Sequence, residues 1–469
     1  MAPSTFRTHR VEGIAGVLAV ALLLFGTRWG SYLGYAPLFL TDVLIFLAIG
    51  RLFLSKPKSG WGARPGRTQF PGWAVTVLFL YVIFRALLSN HVLTMDWARD
   101  MVPFLYVGLA FISSSTYAQA GPSGRARTMK ILWWALNGHL AWTLLVNFGW
   151  VEATSMPTVP GSTLAVFDQR PDADMAVLGM TVALYLRKFI LGQQRVTALV
   201  GLSLCIVAIG GFESRAGLLA VLAATAVSFT ITVGMHDNFA RKYTWIVLAP
   251  ALLLVVAMVL PQTSAGQRLL VTVGVEEATA LNQRDALGTA RARELAWEET
   301  IEWVQEDPSR VTVGTGFGPN FLLESGAGAR MLGATDEKVR SPHNWFIGLY
   351  ARLGMLGVAL VVLVLMTVLA HTWRIRKLVA YEEVLTLAAT GVTAILVAAS
   401  FGVILESPFG AVPFWWFVGI LMAERRRIIP ACPSSLRESG KLSTSAPLSR
   451  DVTLVRLRTP SLLRVVRER

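Results

Sequence analysis

Cysteine is almost missing from this chain: 469 residues contain two, Cys205 inside an apolar run and Cys432 near the C-terminal end. With so few, and no CxxC motif, neither a disulfide-stapled fold nor a cysteine metal site is available. Histidine is scarce as well, with six residues. No His and carboxylates fall at metal-ligand spacing, so no bound catalytic metal and no cofactor is expected. Charged residues make up only 15% of the chain. Acids are the poorer sign, 29 against 43 Lys and Arg, for a net charge of +14. In a soluble protein that excess would point to nucleic acid. Here the basic residues lie between hydrophobic runs, where they set membrane orientation, and no nucleic-acid partner is expected. An internal repeat is absent too, which weighs against an inverted-repeat transporter.

What the chain has in abundance is hydrophobic sequence, 54% of its residues, gathered in runs and not in amphipathic stripes. About 20 apolar residues make one helical span, and only a backbone that satisfies itself is stable in lipid. Runs over 11–27, 35–54, 72–89, 101–115, 131–150, 173–190, 196–211, 215–234, 244–260, 343–370, 384–405 and 411–424 predict an all-α polytopic membrane protein with about twelve transmembrane helices. The first run follows Arg7 and Arg10 without a small-residue cleavage site, and reads as an uncleaved span. Twelve spans place both termini in the cytoplasm. The basic loops agree: Arg51, Lys56, Lys58, Arg64 and Arg67, then Arg125, Arg127 and Lys130, Arg187, Lys188 and Arg195, Arg241 and Lys242, and Arg374, Arg376 and Lys377 fall on one side. The segments 151–172, 211–214, 261–343 and 406–410 fall on the other. The chain therefore divides into a membrane unit, 1–424, with a long, partly helical extracytoplasmic loop over 261–343, and a basic cytoplasmic tail over 425–469. From Glu424 onward eleven Lys and Arg face four acids, half of the total net charge. The Ser and Pro content there fits a disordered segment in contact with anionic lipid.

The outer loop ends in Ser341-Pro342-His343-Asn344-Trp345, where the chain returns to apolar sequence. Ser before Pro reads as a helix start, which puts His343 and Asn344 in the first turn of a membrane helix. Phe346 and Tyr350 then share the face of His343. An imidazole there accepts a proton or donates to a phosphate oxygen, or else is a buried residue bonded across helices; the residues leave these open. Arg215, in Glu213-Ser214-Arg215-Ala216-Gly217, opens the eighth span. A cation in a first helical turn opposes the helix dipole, and near hydrocarbon it needs a partner. A phosphate clamp is the functional reading and an ion pair with Glu213 the bland one. Thr289–Glu306 reads as an amphipathic loop helix carrying Arg291, Arg293 and Trp297, with Glu294, Glu298 and Glu299 able to pair the arginines. Gly314, Gly316 and Gly318 mark a tight turn. Arg85, Asp42 and Arg352 lie inside spans and need partners, Glu406 stands in a short outer turn, and His139 reads as a satisfied interhelical residue.

Taken in order, Ser214-Arg215-Ala216-Gly217-Leu218-Leu219, Arg293-x-x-x-Trp297, Gly314-x-Gly316-x-Gly318, Pro342-His343-Asn344-Trp345, Gly354-x-x-Gly357 and Glu406-Ser407-Pro408 resemble the O-antigen ligase and O-antigen polymerase superfamily of bacterial membrane glycosyltransferases. The resemblance implies a donor glycan carried on undecaprenyl diphosphate, transferred at the outer face of the bacterial cytoplasmic membrane. It implies that Arg215 and Arg293 hold the diphosphate, with Arg291 a near-equivalent of Arg293. His343 then activates the acceptor hydroxyl or contacts the phosphates. Arg85, Asn344, Tyr350 and Glu406 complete the set of substrate-binding candidates. The acceptor is lipid A-core for a ligase and another lipid-linked glycan for a polymerase. A transporter or lipid-linked-glycan flippase is the alternative of another class.

Overall fold

Runs of apolar residues fold as helices because only then does every backbone N–H and C=O find a partner inside its own segment. The computed structural model describes residues 14–35, 38–54, 70–89, 92–152, 157–158, 165, 167–234, 260–272, 280–330 and 340–423. They are helical apart from a two-residue antiparallel pair, Gly34–Tyr35 with Leu38–Phe39, and an isolated bridge between Thr158 and Ala165. In chain order the first nine helices are α1 (Ile14–Gly26), α2 (Leu40–Leu54), α3 (Phe70–Leu87), α4 (Met95–Leu105), α5 (Leu109–Gln119), α6 (Pro122–Asn147), α7 (Pro171–Ile190), α8 (Arg195–Gly210) and α9 (Arg215–Gly234). The polar loop contributes α10 (Ser264–Thr272), α11 (Ala280–Gln305), α12 (Pro308–Val313) and α13 (Phe321–Glu324). The last four are α14 (Trp345–Arg374), α15 (Arg376–Tyr381), α16 (Glu383–Ala399) and α17 (Pro408–Ala423).

Three of these segments, Met95–Ala118, Arg215–Gly234 and Trp345–Arg374, are long and apolar enough to cross a membrane, and six shorter apolar helices accompany them. Residues 244–259 of the expected ninth span lie outside the described residues, as do residues 1–13 with Arg7 and Arg10 and the tail from 424 on.

A helix that is hydrophobic on every side belongs in the middle of a bundle. That describes α7, buried from Ala173 to Arg187, and α17, buried from Phe409 to Ala423. Around them α9 and α16 pack on α7, α5 packs on α17, α6 on α1, and α3 on α14. Gly179 on α7 lets α9 come near, since a Cβ there would stand 3.0 Å from the Cα of Val221 on α9. The outer helices leave large apolar side chains uncovered, among them Leu80 and Phe84 on α3, Ile206 on α8, and Met366 and Leu369 on α14. Such faces are costly in water and suit lipid hydrocarbon.

Charge sorts to the two ends of the bundle. At one end Arg125 pairs with Glu382 at 2.6 Å and Arg187 with Glu383 at 3.3 Å. At the other, Arg28 pairs with Asp168 at 2.8 Å, Arg268 with Glu213, and Arg293 donates to the carbonyl of Phe401 at 3.3 Å. The charges expected to need partners within spans have them. Asp42 accepts from the Phe39 N–H at 3.1 Å, Arg85 donates to the Gly314 carbonyl at 2.8 Å, and Arg352 donates to Asp100 at 2.6 Å. His139 is satisfied between helices, its Nδ1 lying 2.9 Å from the Phe25 carbonyl oxygen.

Candidate active site

The site grows from residues 340–344, which join the polar loop to α14. Arg340 is buried and donates to Asp100 on α4, through Nη2 at 2.7 Å and Nε at 3.3 Å. Arg352 meets the same carboxylate through Nη1, and the Gly318 N–H donates to it at 3.2 Å. One acid thus fixes two arginines and a loop, a geometry in which removal of the acid would leave buried charge uncompensated. Two residues on, the indole of Trp297 donates to the Pro342 carbonyl at 2.6 Å, so α11 holds the strand leading to His343.

The helix start differs from the sequence expectation. Asn344, not Ser341, is the N-cap, its side-chain oxygen accepting from Phe346 N–H at 3.0 Å and Ile347 N–H at 3.4 Å. His343 therefore precedes the helix instead of lying in its first turn. Its φ of +54° is left-handed, a conformation costing a non-glycine residue about 1–2 kcal/mol and held here by the flanking anchors. With the helix start displaced, Tyr350 turns to Phe321 and Ala296 in the core under the loop, and Asn344 spends its carbonyl on capping.

The glycine motifs complete the support. Inside α14, Gly354 has φ +64° and ψ −171°, a break that frees carbonyls of the preceding turn. Thr315 N–H and Gly316 N–H take up the carbonyls of Ala351 and Arg352, each at 2.9 Å, and the Tyr81 hydroxyl takes that of Leu353 at 2.7 Å. The approach tolerates no side chain, since a Cβ on Gly354 would lie 2.5 Å from the backbone of Thr312. The Gly314–Gly318 turn is thus a clasp on the broken helix, with its amides already engaged. Arg85 is part of the same clasp through Gly314.

Above this frame the rim is cationic. Arg293 faces Asp172 and Arg170, and lies close enough to both Arg215 and His343 to act on their charge. Arg268 is a further positive neighbour of Arg215, which hydrogen-bonds the Thr272 hydroxyl. Arg170 pairs with Asp172 at 3.1 Å. Burial, followed by the charges of Arg293 and Arg170, pushes the His343 imidazole down to about 4, so it is neutral at physiological pH. Burial also pushes the Arg293 guanidinium downward, with Asp172 opposing. Arg291, the neighbouring candidate, is turned outward and paired with Glu294 at 2.7 Å. Among the described residues no group of three or more His, Cys, Asp or Glu is placed to hold a metal ion.

A cavity of about 240 Å³ opens between α4, the 340–344 segment and the 401–407 turn, with Arg170, Ser341, His343 and Glu406 among its lining residues. Arg293, near enough to both Arg215 and His343 to act on their charge, does not line that cavity, and neither does Arg215. Residues 199–362 match the family model described as O-antigen ligase. Over those residues the chain is similar to the O-antigen ligase family. No curated protein matches the chain.

The ligase match contains Arg215, Arg268, Arg293, Trp297, the glycine clasp, Arg340 and His343. It excludes Asp100, Arg170, Asp172 and Glu406, which α4, the start of α7 and the 401–407 turn bring to the same place. Of these, sequence reasoning had singled out only Glu406, and Arg268 and Arg340 were likewise not foreseen. A signal for Asp100 existed, because Arg352 inside a span demanded an acid and Asp96 and Asp100 lie on one face of α4. The family similarity, together with the apolar helices, supports a membrane enzyme of the O-antigen ligase or polymerase type.

Proposed function

We propose that this protein is a glycosyltransferase that moves a glycan from undecaprenyl diphosphate to an acceptor hydroxyl at the outer face of the bacterial cytoplasmic membrane. The reading includes twelve spans, with both termini in the cytoplasm. The observation that carries it is His343 lining one cavity with Arg170, with Arg293 near enough to act on its charge. Arg215 and Arg293 grip the diphosphate, a planar fork matching phosphate oxygens, and Arg170 adds its charge. Their positive field stabilises charge developing on the leaving group as a metal ion would.

His343 is the base in this reading. The acceptor oxygen attacks the anomeric carbon, its proton passes to the imidazole, and the bond from that carbon to the phosphate oxygen breaks. The diphosphate departs with the electron pair, in a single displacement that inverts the anomeric centre. A neutral imidazole is needed at the start, which burial and, after it, the charges of Arg293 and Arg170 favour. Arrival of the anionic donor then offsets those charges and makes the protonated imidazole less unfavourable.

In cells, Arg293→Ala and His343→Ala are expected to leave the protein inserted while surface glycan is lost and lipid-linked glycan accumulates. Loss of a transition-state donor costs on the order of 10²–10³-fold in rate, and loss of a general base about 10²–10⁴-fold. Arg291→Ala, in an exposed pair, leaves transfer near wild type. Wild-type surface glycan in both Arg293→Ala and His343→Ala would refute the assignment.

A further inference from the structure

The cavity is lined by more than the groups assigned to the diphosphate. Asp100 is fully engaged by Arg340, Arg352 and Gly318 N–H, and Arg170 is paired with Asp172. Two lining residues differ. The Oγ of Ser341 and the Oε1 of Glu406 are buried with no hydrogen-bond partner outside this pair, the Ser341 hydroxyl standing close enough to the Glu406 carboxyl to act on it, and both residues line the cavity. Buried polar atoms are nearly always paired in native proteins, by protein, water or ligand. The charged groups acting on Glu406 are Arg352, Asp100 and Arg99, whereas those acting on His343 are Arg293 and Arg170. Glu406 and His343 line one cavity but answer to different charged neighbours.

We propose that Ser341 and Glu406 form an acceptor subsite that receives one sugar ring and hydrogen-bonds its hydroxyl groups, presenting a neighbouring hydroxyl to His343. The inference rests on the proposed transfer reaction and names the part of the site that holds its second substrate. The volume, about 240 Å³, is below the roughly 300–1,000 Å³ of pockets that enclose a drug-sized ligand, and suits a single ring better than an oligosaccharide. Burial pushes the Glu406 carboxyl up to about 7, despite the opposing charge of Arg352. At neutral pH it is therefore protonated for much of the time, able to donate as well as accept, as a sugar hydroxyl requires. Gly348 on α14 leaves the carboxyl its room: a Cβ there would lie 2.9 Å from Oε1.

The test uses the full-length protein in detergent, purified lipid-linked glycan as donor, and methyl glycosides of common hexoses as single-ring acceptors, with transfer read by mass spectrometry. Loss of one hydrogen bond of this kind corresponds to about tenfold in affinity. Ser341→Ala and Glu406→Ala should each raise the acceptor KM by about tenfold or more, while the donor KM stays within about twofold. Glu406→Gln, which keeps a neutral hydrogen-bonding group, should be the milder of the two changes at Glu406. If Glu406→Ala does not accumulate in the membrane, Ser341→Ala and Glu406→Gln decide the matter. An unmoved acceptor KM, an equal rise in donor KM, or no transfer to any methyl glycoside by wild type that turns over its native acceptor would overturn the subsite. His343→Ala and Arg293→Ala separate the two levels: if they retain transfer, the reaction itself is misassigned, whereas if they abolish it and the acceptor KM does not move, only the subsite fails.

Discussion

His343 stands where a positive charge is unwelcome, and its proposed role follows from that. Transfer requires the unprotonated imidazole, so activity is present above its pKa and lost as pH falls through it. In the free enzyme that value is about 4, set by burial and by Arg293 and Arg170. The acid limb of kcat/KM, which reports the free enzyme, should therefore lie near pH 4. The limb of kcat, which reports the substrate complex, should lie higher, toward the ordinary imidazole value of about 6.5, because the bound diphosphate offsets the guanidinium charges. Coincident limbs in a pH–rate series would contradict this coupling. Arg215, Arg293 and His343 were legible in the sequence because each is locally odd: a cation opening a helix, a basic residue beside a loop tryptophan, an imidazole at a membrane re-entry. Asp100 and Arg340 carry no such mark. They are 240 residues apart, and their meaning exists only when α4 and the end of the loop meet.

At the scale of elements, the break in α14 and the glycine turn are one device. The break frees the carbonyls of Ala351 and Arg352, the turn supplies amides to them, and Arg352 is thereby aimed at Asp100 beneath His343. Gly354→Ala is expected to destabilise the protein, by about 1–2 kcal/mol for the left-handed backbone alone, with further loss from the contact with Thr312. A lowered Tm in detergent, with transfer falling in step, checks it; an unchanged Tm would mean that the clasp contributes little. The sequence showed both glycine motifs but not that they touch. It also misplaced the start of α14. Ser341 and Asn344 are both capable of capping, and the choice is made by tertiary contact: Trp297 binds the Pro342 carbonyl, the backbone turns left-handed at His343, and Asn344 is the first residue free to cap.

Among the described residues of the molecule, the hydrophobic runs are helical, and three segments are long and apolar enough to cross a membrane, a property that sequence displays directly. Which helices lie at the centre was not legible, because α7 carries Asp172, Asp174, Arg187 and Lys188 at its ends and yet is buried throughout its middle. The proposed orientation puts Arg125 and Arg187 toward the cytoplasm. In a Cys432→Ser background, Ser309→Cys on the loop should react with an impermeant thiol reagent applied to the outside, and Arg64→Cys should not. The reverse pattern would invert the topology and move the site to the cytoplasm.

The central claim is that the arginine rim and His343 transfer a glycan chemically and do not merely carry it across a membrane. Purified protein in detergent, with lipid-linked glycan and acceptor but no sealed second compartment, tests this most directly. The predicted result is glycan transfer by wild type, lost in His343→Ala and Arg293→Ala. Absence of turnover in detergent, together with activity confined to sealed vesicles, would contradict it.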